Sequence, residues 1–76
     1  MTIPELFAAF KAEAFDAKID PDDDYYWDSL AFGFAIAKGC SREEAFHLSL
    51  HWFDFCNGAM PIEQVVDEFD PNVFDE

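Results

Sequence analysis

The stretch DPDDDYYWDSLAFGFAIAKG, Asp20 to Gly39, decides the fold. It begins as a helix begins. Asp20 is a capping residue and Pro21 fits the first helical position. Asp22, Asp23 and Asp24 lie where the positive end of the macrodipole favours carboxylates. It also ends as a helix ends, with Lys38 in the last turn and Gly39 as the left-handed stop. The spacing predicts a helix over 21–38. Wound at about 100° per residue, Tyr26, Trp27, Leu30 and Phe34 form one apolar arc, and Tyr25, Phe32 and Ile36 form a second. Ser29, Gly33 and Ala37 make a small-residue groove between the arcs, suited to a crossing helix that Gly33→Leu would overpack. Asp24, Asp28, Ala31 and Ala35 are left as the wettable side. So apolar a surface places this helix at the centre of a bundle.

The flanking segments carry the same punctuation. Thr2-Ile-Pro-Glu5 is a capping box with Pro in the first turn. Ile3, Leu6, Phe7, Phe10, Ala14 and Ala17 then recur at helical spacing, predicting a helix over 3–18 with Phe15 free for a second contact. Ser41-Arg-Glu-Glu44 is another capping box. It opens a helix over 42–57 that Asn57-Gly58 closes. Pro61 starts a shorter helix through Phe69, which Asp70-Pro71 stops, and the tail either docks through Val73 and Phe74 or frays. No segment alternates as a strand would. The expectation is an all-α fold, a small helical bundle of three longer helices plus a short C-terminal helix in one domain, 1–76. Short connections make sequential helices antiparallel.

Composition limits what such a bundle can bind. Asp and Glu total 17 against 4 Lys and Arg, a net charge of -13. That excludes direct nucleic acid and anionic membrane, which both require cationic side chains, and it favours a basic partner. Salt adaptation is the bland alternative. Ten Phe, two Trp and two Tyr rule out acidic disorder and exceed what so small a body hides. The surplus belongs at a partner or homodimer surface. Cys40 and Cys56 make no disulfide framework. Met1-Thr-Ile-Pro lacks a signal peptide's basic start, and no apolar run suits a bilayer. The expectation is a cytoplasmic protein with reduced thiols.

Three constellations suggest chemistry, and each has a plainer reading. Asp20, Asp22 and Asp24 match the first ligand positions of an EF-hand loop, but Tyr25 replaces its turn glycine and Ala31 its bidentate Glu. Helix-start aspartates need no metal. Asp28-Ser29-Leu30 resembles the phosphopantetheine site of acyl and peptidyl carrier proteins, acidic four-helical domains of this length. Tyr26 stands where their glycine usually is, and the wheel turns Ser29 toward a neighbouring helix. His47 and His51 share a face with Glu43, Glu44 and Asp54. The plain reading is a hydrated stripe, in which nearby carboxylates raise the histidine pKa values. No phosphate loop or nucleophile elbow occurs, so no catalysis, cofactor or metal is expected.

The remaining signal is charge. Asp20, Asp22, Asp23, Asp24 and Asp28 put five acids in nine residues, and Asp67, Glu68, Asp70, Asp75 and Glu76 put five in ten. Helical carboxylates three or four apart stand about 5–6 Å apart at Cβ, broadly the spacing of phosphates on one strand. Tyr25, Tyr26, Trp27 or Phe74 could anchor such a surface. In size and composition the chain resembles small acidic inhibitors of phages and mobile elements, of anti-CRISPR and anti-restriction type. The resemblance implies a non-enzymatic inhibitor that occupies a basic groove of a nucleic-acid-binding protein or nucleoprotein complex inside a bacterial host. An adaptor or antitoxin-like partner using exposed aromatics is the alternative, with a carrier protein modified at Ser29 after it.

Overall fold

The computed structural model describes residues 1–14 and 24–74, and the side chains of all of these except 24–26. Four helices follow one another: α1 (Ile3–Glu13), α2 (Asp24–Ala37), α3 (Arg42–Cys56) and α4 (Ile62–Asp67). No strand occurs among the described residues, so the fold is all-α. Both expected capping boxes form. Thr2 Oγ1 accepts from the Glu5 amide at 3.3 Å, and Glu5 Oε1 accepts from the Thr2 amide at 2.9 Å. Ser41 and Glu44 repeat the exchange at 3.2 and 2.8 Å. Each box satisfies two backbone donors that a helix start otherwise leaves open.

The stops work as their residues suggest. Gly39 has φ 85° and Gly58 φ 77°, a region that costs glycine nothing. At the end of α2, Cys40 N–H donates to the Ala35 carbonyl and Gly39 N–H to that of Ile36. Ala59 and Gly58 do the same to Asp54 and Phe55 at the end of α3. Both are Schellman closures. Pro61 is the N-cap of α4 rather than its first residue, and Glu68 closes it. The described part of α1 ends with Ala14 as its C-cap. The expected caps Asp20 and Pro21, and the contacts of Phe15 and Ala17, lie outside the described residues.

Trp27, near the start of α2, stacks on Trp52, near the end of α3, with centroids 5.3 Å apart. The two helices are therefore antiparallel, and theirs is the most extensive interface. Phe10 of α1 meets Trp27, Phe34 and Trp52 edge-on. Leu6, Phe7, Leu48 and Val65 complete a core without solvent exposure. Each such side chain contributes about 1.5–3 kcal/mol.

The centre of the bundle is α3, which packs on α1, α2 and α4; the expectation that α2 holds that place fails. The arc of Trp27, Leu30 and Phe34 packs on the core as expected, but the small-residue positions are exchanged. Ala31 and Ala35 are buried with Trp27, whereas Ser29, Gly33, Ile36 and Ala37 face solvent. The reason is steric. Interaxial distance depends on the side chains at the contact, and small ones such as Ala31 and Ala35 suit the packed side. A Cβ on Gly33 would meet nothing within 4 Å, so no close helix crossing lies at Gly33 for Gly33→Leu to overpack.

Candidate partner-binding surface

The carboxylates divide by task. Asp28, expected to face a partner, has a structural bond: its Oδ1 accepts from Trp52 Nε1–H at 2.7 Å. It fastens the start of α2 to the end of α3. Asp67 and Glu68 end α4 and are exposed, as is Asp70 beyond them. Asp70 Oδ1 accepts from the Asn72 amide at 2.9 Å, shaping the turn into the tail. Asp24 and Tyr25 belong to the first turn of α2 by backbone. Asp20, Asp22, Asp23, Asp75 and Glu76 lie outside the described residues.

The described members of the two acidic clusters do not share a face. Asp28 meets α3 at Trp52, and α4 meets it at His47. Five residues of helix turn those positions about 140° apart. Asp28 therefore lies on one side of α3, and Asp67 and Glu68 lie on the other.

Little of the charge is neutralised internally. Among the described residues one ion pair forms, Lys38 to Glu13 at 3.1 Å, and it is largely exposed. The described Lys and Arg side chains sit over aromatic rings. Lys11 lies 5.9 Å from the Phe55 centroid, Lys38 5.2 Å from Phe34, and the Arg42 guanidinium 5.0 Å from Phe74. Such contacts screen the ring faces and leave the carboxylates to solvent.

The histidine stripe is only partly hydrated, with Asp54 exposed and His51 half-buried. His47 is buried, and its Nε2–H donates to the Val65 carbonyl at 2.7 Å, which ties α4 to α3. Phe7, His51 and Phe69 pack around the ring. Burial lowers the His47 pKa. The Val65 bond pulls upward, His51 pulls downward, and Glu68 pulls upward more weakly. The expected rise is thus reversed at His47, because desolvation outweighs the carboxylate. Burial, then Glu44, raises the Cys40 pKa and keeps it a thiol. Bonding to Thr2 holds Glu5 below its usual range. No group of three or more His, Cys, Asp or Glu among the described residues is arranged to hold a metal. No helix among them is long and apolar enough to cross a membrane.

The anchor residues also change. Trp27 is fully buried and offers a partner nothing. The exposed large apolar groups include Leu50 and Phe53 on α3 and Phe74 in the tail. Phe74 docks edge-on to Phe46 at 5.4 Å, yet stays 40% exposed. The sequence held the signal for this surface. More than half the circumference of α3 is apolar, and its three neighbours leave one side open.

Ser29 is exposed, contrary to the expectation that it faces a neighbouring helix. It borders a shallow, mainly apolar depression of about 330 Å³ that Leu30, Gly33 and Phe34 also line. Comparison with family models, with curated proteins and with solved structures finds no match to this chain.

Proposed function

We propose that the protein is a non-enzymatic inhibitor that occupies a basic surface of a nucleic-acid-binding protein and blocks it, in the manner of nucleic-acid mimics of anti-CRISPR or anti-restriction type. One observation carries this reading. A chain of net charge -13 engages its described cations with aromatic rings and leaves its carboxylates largely uncompensated. A field of that kind speeds encounter with a positive groove and repels nucleic acid. The division of the acids adds a requirement. A rigid groove meets one side of the bundle, so Asp28 and the pair Asp67 and Glu68 contribute unequally.

The test is capture of bacterial proteins on the immobilised chain, with and without excess duplex DNA or RNA. Basic nucleic-acid-binding proteins are expected, displaced by the competitor and released as salt shortens the Debye length from about 10 Å at 0.1 M to about 3 Å at 1 M. Retention unaffected by either treatment overturns the reading. Reversal of Asp22, Asp23 and Asp24 to Lys is expected to weaken binding at least tenfold if that side docks. Reversal of Asp67, Glu68 and Asp70 does so if the other side docks.

A specific observation favours a second reading. Exposed Ser29 beside an apolar depression removes the steric objection to a carrier protein modified there. Incubation with a broad-specificity phosphopantetheinyl transferase and coenzyme A decides it. Stoichiometric mass gain at Ser29 installs the carrier, and an unchanged mass dismisses it.

A further inference from the structure

We propose that the outer face of α3 is a docking site for a cationic amphipathic helix of the partner protein. The inference rests on the proposed binding to a basic partner and adds where and how that partner is held.

Phe46, Leu50 and Phe53 are spaced four and three residues apart, so they share one face of α3. That face lies away from α2, which packs at Trp52, and beside α4, which packs at His47. Leu50 is 57% exposed and Phe53 46%. The tail widens the stripe by laying Phe74 against Phe46. Contiguous apolar surface of this kind marks an interaction site. At its edge is a small notch of about 60 Å³. Phe46, Leu50 and Val73 give it apolar walls, and Glu43, Glu68 and Asp70 line it with carboxylates, beside His51.

Charge selects the occupant. Glu43 and Asp54 border the stripe on α3, Glu68 and Asp70 face it across the notch, and Arg42 is the nearby cation, held over Phe74. A second copy would bring -13 against -13. A neutral apolar helix would bury these carboxylates without partners, a costly state. A helix with large apolar residues on one face and Lys or Arg beside them satisfies both features. Its lysine stems lie along the rings and their ammonium groups reach the rim. Aromatic contacts then supply slow dissociation, and the acids supply fast encounter.

The test uses two synthetic peptides of identical Leu/Lys composition. One is patterned as an amphipathic helix and the other is scrambled to have no apolar face. Calorimetric titration at 0.15 M salt is expected to show at least tenfold tighter binding of the patterned peptide. Amide shifts should centre on Phe46, Leu50 and Phe53. The double variant Leu50→Ser, Phe53→Ser changes exposed positions, so its circular dichroism should match the parent. It is expected to lose the preference while binding the scrambled peptide as before. Equal binding of the two peptides, or a retained preference in the variant, overturns the proposal. Sedimentation showing a dimer at 0.15 M salt that the same variant abolishes also overturns it and assigns the face to a second copy. No nucleic acid or natural target enters these measurements, so they can fail while displacement by DNA succeeds, or the reverse.

Discussion

Replacing Asp28 with Ala tests whether an exposed acid in a charge-rich segment is structural. Its carboxylate accepts from the indole of Trp52 at 2.7 Å, and Trp52 is 2% exposed. A hydrogen bond to a charged group contributes about 1.5–3 kcal/mol. Asp28 itself is exposed, so water can reach part of the vacated space and the lower half of that range applies. Loss of one negative charge from a chain at -13 offsets a few tenths more. The expected cost is about 1–2 kcal/mol. For a domain of this size, each kcal/mol moves the melting midpoint by roughly 4–8 °C. Asp28→Ala should therefore melt roughly 4–16 °C lower, followed by far-ultraviolet circular dichroism. Asp28→Asn keeps an acceptor oxygen and removes the same charge, so it should lose less than half as much. The stacked Trp27–Trp52 pair gives a second readout. Its near-ultraviolet signal should weaken in the Ala variant and persist in the Asn variant. Equal destabilisation by Ala and Asn would refute the hydrogen bond as the cause. An unchanged midpoint in both would show that Asp28 is free for a partner.

Gly33→Ala should stabilise the protein by about 0.5–1 kcal/mol, because the position is helical, exposed and open around its Cβ; a lower melting midpoint would mean something packs there. Ser41→Ala should cost about 1 kcal/mol through loss of the α3 cap, read from the urea midpoint, and an unchanged midpoint would make the box ornamental. His47 takes up a proton less readily folded than unfolded, because burial lowers its pKa from the usual 6.5. Its contribution is therefore full above about pH 6.5 and declines as pH falls from there toward the folded pKa, where the unfolded chain binds more protons. Relief of carboxylate repulsion acts in the opposite direction in the wild type and in His47→Gln alike, so the difference between their urea midpoints isolates the histidine. That difference should shrink from pH 7.5 to 5.5, and parallel pH profiles would exclude the effect.

The helix starts at Thr2 and Ser41 and the stops at Gly39 and Gly58 were legible because they are local. Thr2 with Glu5 and Ser41 with Glu44 meet across a single turn, and Gly39 and Gly58 answer a backbone demand that few other residues meet. The facing of α2 was not legible by the same means. A wheel ranks faces by the size of their side chains. It placed Trp27, Leu30 and Phe34 inward, where they pack on the core, but gave water to Ala31 and Ala35, which are buried. Packing also depends on how closely two backbones approach, which small side chains permit. Ser29 and Gly33 were misplaced for the same reason, since a wheel does not distinguish small residues that face a neighbour from small residues that face water.

The candidate site divides along a similar line. Net charge is a sum over residues and needs no geometry, so the acidity was read directly. Sidedness depends on which face of α3 each neighbour takes, and that follows from contacts distant in sequence. His47 shows why. Among Glu43, Glu44 and Asp54 it reads as a wet histidine that carboxylates make more basic. The residues that govern it, Phe7, Val65 and Phe69, come from outside α3. Once α4 covers this side, the opposite flank is already taken by α2, and the hydrophobic excess of α3 has one outlet. Phe46, Leu50 and Phe53 are left facing outward as the consequence of two packing choices made elsewhere. Burying that stripe needs a partner whose charge offsets the acids around it.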